Sequence, residues 1–151
     1  MKTLTNRFSY EELALRVEII KREFKRNNIK LEGKKGLPGA LKTCEIAIKA
    51  NRYPNIASGL VRELPNKRRD LFRINVGPVW RLADSLETLR NNGIDFKFHL
   101  KSLARSRDSL EYGKEDKKDK GAYKDFEFEL MIASLLAKGG FQIRLNSPGS
   151  P

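Results

Sequence analysis

DFEFELMIASLLAKGGFQIRLNSPGSP, residues 125–151, is the stretch on which the reading of this chain turns. Phe126, Leu130, Ala133 and Ala137 recur at helical spacing, with Ile132 and Leu136 beside them, so the pattern predicts a helix over 126–138 with a broad apolar face. Glu129 falls on the edge of that face, where a carboxylate is costly unless it is paired, and Glu127 falls nearer the polar side. Gly139 and Gly140 end the helix. Phe141, Ile143 and Leu145 then alternate with Gln142 and Arg144, the pattern of a strand with one wetter face. Only NSPGSP follows. A strand without a sheet is an incomplete unit, so the chain reads as the front part of a longer protein.

Outward from this motif, GKEDKKDKGAYK at residues 113–124 has no aliphatic side chain larger than Ala122 and a nearly balanced charge. It is the best boundary in the chain. Residues 1–112 are read as a basic helical domain, 113–124 as a charged linker, and 125–151 as the helix–strand start of an incomplete α/β domain.

The first region is expected to hold about five helices. Ser9 and Glu12 make a capping-box pattern ahead of Tyr10, Leu13, Val17, Ile20 and Phe24, and the helix should fade at Asn27-Asn28. KLEGKKGLPGAL is a loop whose Pro38 opens a second helix with Leu41, Cys44 and Ile48 inward. The loop lacks the G-x-x-x-x-G-K-[ST] spacing of a phosphate-binding loop. Ile56, Leu60 and Val61 suggest a short third helix, ending before Pro65. A fourth runs from Val79 to Asn92 and stops at Asn91-Asn92-Gly93. From Ile94 onward a strand-like alternation competes with a helix capped by Asp95; Phe96, Leu100, Leu103 and Leu110 favour the helix. The fold class is mainly α, with one β-strand at the end.

Charge is unevenly placed. The net charge is +12, and residues 1–109 hold 24 Lys and Arg against 12 Asp and Glu, while residues 110–151 hold 7 of each. A localised basic surface attracts polyanions. Its densest point is Lys67, Arg68 and Arg69 beside Pro65 and Asn66; Lys34 and Lys35 charge the glycine loop, and Lys101 and Arg105 flank the fifth helix, with Lys97 and Arg107. The partner expected is nucleic acid, DNA ahead of RNA, gripped through phosphates without base-specific reading. Cys44 is the single cysteine and His99 the single histidine, which leaves no internal disulfide and argues against zinc sites or His-based triads within the chain. The N-terminus has no apolar signal-peptide core and no apolar run reaches membrane-spanning length, so the protein reads as cytoplasmic, with no membrane partner.

Phe128, Glu129, Ala133, Leu135, Leu136, Gly140, Phe141 and Ile143 follow F-E-x-x-x-A-x-L-L-x-x-x-G-F-x-I. This resembles the opening helix and first strand of the restriction-endonuclease-like, or PD-(D/E)XK, nuclease superfamily. The resemblance covers about twenty residues and implies that Glu129 is the first-helix glutamate that helps hold a metal such as Mg²⁺. The later Asp and the E-x-K of the family are absent, so the chain as it stands is expected not to cleave DNA and to hold no complete metal site. Two functions follow as expectations. One is the nucleic-acid-binding part of a DNA-processing protein; the other is a non-enzymatic basic helical module that binds nucleic acid or a protein partner.

Overall fold

The computed structural model describes residues 8–105 and 122–145. Helix α1, Tyr10–Arg26, starts where the sequence says it should: Ser9 has extended backbone and its hydroxyl accepts from the Glu12 N–H at 3.4 Å. Glu11 and Glu12 occupy the first turn and Lys25 and Arg26 the last, both favourable to the helix dipole. Its end is a Schellman motif. Asn28 takes φ +55°, and the Ile29 N–H reaches back to the Phe24 carbonyl at 2.9 Å. The same device closes two later helices, with Gly93 at φ +69° and Ile94 bonded to Leu89, and with Gly140 at φ +88° and Phe141 bonded to Leu136.

Helix α2, Gly36–Arg52, buries Leu37, Leu41, Cys44 and Ile48. The glycines of the preceding loop have structural work. Gly36 has φ +62°, and a Cβ on Gly39 would lie 2.4 Å from the Lys34 carbonyl oxygen. That close approach folds the loop back onto the first turn of α2. A short 3₁₀ turn, Pro54–Ile56, leads into α3, Ala57–Val61, where the third helix is expected. Neither contains a fully buried residue, and Ile56 and Val61 stay exposed.

The fourth helix begins earlier than its periodicity suggests. Helix α4, Arg68–Asp70, passes into a π-helical turn, Leu71–Val76, and then into α5, Gly77–Asn91. Pro78 explains the π turn. Proline has no N–H for the carbonyl four residues back, and its ring clashes there, so the backbone widens before it. The Gly77 N–H bonds the Phe72 carbonyl instead, and a Cβ on Gly77 would sit 2.9 Å from that oxygen. Helix α6, Lys97–Arg105, resolves the competition after Ile94 in favour of the helix, with the Asp95 carboxylate accepting from the Lys97 N–H at 3.0 Å. Leu110 and Arg107 lie outside the described residues.

Helix α7 runs Ala122–Lys138, so residues 122–124, read as linker, are helical; the rest of the linker lies outside the described residues. It packs on α5 and α6, while α1 packs on α5 and α2. One apolar core joins them, from Leu13, Ile20 and Phe24 through Leu82, Leu86 and Leu100 to Leu130 and Ala133. Full burial of each such leucine contributes about 1.5–3 kcal/mol. Across the core Glu23, itself buried, accepts from Arg90 at 2.5 and 2.6 Å and from Arg26 at 3.1 Å. The Glu23 hydrogen bond holds the Arg90 guanidinium above its ordinary pKa. Glu11 and Arg52 clasp α1 to the end of α2 at 3.1 and 3.2 Å.

The chain is mainly helical, and no strand is present among the described residues. The strand expected at 141–145 is not formed. A strand exists only through a ladder to another strand, and no other described segment supplies one.

Candidate nucleic-acid interface

The basic residues singled out by the sequence that fall among the described residues are all exposed, and they form three groups. Lys34 and Lys35 stand at the entrance to α2, Lys35 being its N-cap residue. Lys101 and Arg105 lie on α6, where with Lys97 they occupy positions i, i+4 and i+8 on the outward side. Lys67, Arg68 and Arg69 form the third group and are contiguous. Lys67 is the N-cap residue of the helix and the two arginines are its first turn, so this segment is the start of a helix rather than a loop. No ion pair or ring contact among the described residues links one group to another.

Lys67–Arg69 also has neighbours that the sequence did not disclose. Asp70 lies 3.9 Å from Arg69 and 3.8 Å from Arg73, long contacts that neutralise little at the surface. The Arg68 guanidinium lies 5.6 Å from the Phe72 ring centre. Phe72 meets Phe8 edge to face at 4.9 Å, Phe8 meets Tyr10 and Trp80, and Arg16 lies 3.6 Å over Trp80 while donating to Asp84 at 3.1 Å. These rings are half-buried and pack on the core. Their contacts anchor the chain just ahead of α1 to the π turn that follows the basic group. The signal in sequence was the run of Phe72, Arg73 and Trp80 after Arg69, hidden because Gly77-Pro78 broke the helical period.

The terminal carboxylates exchange the places expected of them. Glu127, read as polar, is 3% exposed and pairs with Arg81 of α5 at 3.4 Å. Glu129, read as the boundary residue, has a side chain 53% exposed, and its Oε2 lies 2.6 Å from Nε2 of His99. The cause is the rotation of α7. The helix buries Leu130, Ala133 and Ala137 together with Glu127 and Ser134, and turns Ile132 and Leu136 outward. Two apolar rows are visible in the sequence, and periodicity alone does not choose the inner one. His99 was missed. It is 1% exposed, between Phe98 and Phe126 at 5.8 and 5.4 Å. Its position three residues after Phe96 and four before Leu103, on the apolar stripe of α6, was the available clue.

The His99–Glu129 contact ties α6 to α7, and its residues do not suit Mg²⁺. That ion takes near-octahedral oxygen ligands, whereas here one carboxylate faces an imidazole. Among the described residues no group of three or more His, Cys, Asp or Glu is placed to hold a metal. Nor is any described helix long and apolar enough to cross a membrane. Comparison with known protein families, with curated proteins and with solved structures finds no match.

Proposed function

We propose that this chain is a basic helical module that binds nucleic acid through phosphate contacts. The observation that carries the reading is the exposed cluster Lys67, Arg68 and Arg69 at a helix start, within a region bearing the whole excess of positive charge. Cations there meet phosphates without burial. Lys34, Lys35, Lys101 and Arg105 supply additional phosphate contacts. DNA is the polymer proposed, and the terminal α7 unit with its suggested strand would belong to a DNA-processing protein of the nuclease-like kind. Glu129 has no metal role within this reading, because His99 already engages it.

Binding of a fluorescent DNA duplex, followed by anisotropy across a salt series, tests the proposal. Removing one cation that neutralises a phosphate reduces the slope of log affinity on log salt by about 0.9 for duplex DNA. Replacing Lys67, Arg68 and Arg69 with Gln is expected to lower that slope by about 2–3 and weaken binding equally for unrelated sequences. An unchanged slope removes this cluster from the interface, and an RNA duplex bound more tightly than DNA reverses the choice of polymer.

A further inference from the structure

Two unpartnered features meet at the C-terminal end of the described chain. The first is the outer row of α7. Phe128, Ile132, Leu135 and Leu136 follow i, i+4, i+7 and i+8 along one side of the helix, and with Phe141 they are between 37% and 64% exposed. The second is the segment Phe141–Leu145. The Phe141 N–H closes α7 onto Leu136, but from Gln142 to Leu145 no backbone hydrogen bond is formed with any described residue. Apolar and polar side chains alternate along it, and Ile143 and Leu145 rest against the core. A segment of this pattern with an unpaired backbone is a template for another strand.

We propose that both features are covered by a second copy of this chain, in a twofold dimer whose Phe141–Leu145 segments pair antiparallel about Ile143. The segment is self-complementary in that register. Phe141 faces Leu145 of the other copy, Gln142 faces Arg144, and Ile143 faces its own equivalent. Apolar residues therefore meet on one side of the ribbon, a neutral amide meets a cation on the other, and no like charges are opposed. The area is sufficient. Large side chains carry about 200 Å² each, so five that are roughly half exposed present about 500 Å² per copy. A pair buries about 1,000 Å² of apolar surface alone, the lower bound for a specific interface. Pairing also forms the strand that the sequence announces and that the described residues of one chain do not form.

Sedimentation velocity of the full chain over a hundredfold concentration range measures the association directly. A concentration-dependent dimer is expected, and Leu135→Lys, on an outward side chain that the monomer does not bury, should weaken it at least tenfold. Register is read by cross-linking. Directly opposed positions on paired strands approach within disulfide reach. Oxidised Ile143→Cys should run as a covalent dimer and Gln142→Cys should not, with native Cys44 too buried to interfere. A folded chain that stays monomeric throughout overturns the proposal, as does a dimer indifferent to Leu135→Lys. Should Ile143→Cys fail to fold, the Leu135→Lys result alone decides. Equal cross-linking at 142 and 143 overturns the register.

Discussion

Helices α1 and α7 each have 17 residues, and they use their surfaces in opposite ways. Helix α1 has one apolar stripe buried against α2 and α5, and its outward side, where Leu15 stands alone as an exposed large apolar residue, carries the ion pairs Glu11 with Arg52, Arg16 with Asp84 and Lys21 with Glu45. Its partners lie within the chain. Helix α7 carries a second apolar row turned outward, and its inward side includes a buried carboxylate and a serine. The contrast shows that an amphipathic pattern identifies a helix completed by its own domain, whereas a helix apolar on two sides marks a domain with another surface still to meet.

The largest expected difference lies in thiol reactivity between a buried position, Cys44 of α2, and the outer row of α7. Burial, with a smaller contribution from Glu45, pushes the Cys44 thiol up to about 12. Against an ordinary value near 9 the thiolate is about a thousandfold rarer at pH 8, so at concentrations where the chain is monomeric a maleimide reagent should leave folded Cys44 unmodified while labelling a Leu135→Cys variant at an ordinary rate. The sign of the accompanying pH effect follows. The folded value lies above the unfolded one, so this contribution to stability is complete below about pH 9 and is lost as pH rises toward about 12. Denaturant unfolding at about pH 8 and about pH 10.5 checks it.

Truncation sharpens the contrast within α7 itself. Leu130→Ala, at a fully buried site, should cost about 3 kcal/mol in urea unfolding, and Leu135→Ala, at an exposed one, less than about 0.5 kcal/mol when monomeric. Equal costs would mean that the two rows are equivalent. The smallest effect is at the turn. Gly140→Ala places a Cβ on a residue at φ +88° with open space around it, and should cost about 1 kcal/mol from backbone strain alone.

Much of this fold is legible in the sequence because helix ends are local. Ser9, Asn28, Asp95, Gly93 and Gly140 act through hydrogen bonds to residues a few positions away, and a reader with spacing rules finds them. What escaped depends on distant parts of the chain. Whether α7 turns Ile132 or Ala133 inward is decided by α5 and α6, and with it whether Glu127 or Glu129 is buried. The burial of His99 follows from the same packing. The basic cluster is visible as composition, but its place at a helix start is obscured by the π turn. The terminal alternation is legible as a pattern and not as a strand, since a strand requires a partner that periodicity does not supply.

Pro78 has a consequence beyond the turn it widens. A π turn takes one residue more than an α turn, and one residue in an α-helix corresponds to about 100° of rotation. The helical residues just upstream of Leu71, Arg68–Asp70, are therefore swung by that angle relative to the face that α5 presents to the core. The compass bearing of Lys67, Arg68 and Arg69 on the molecule is set by a proline that bears no charge. Relieving it by Pro78→Ala would allow the helix to rewind and would re-aim the basic cluster without altering any of its residues.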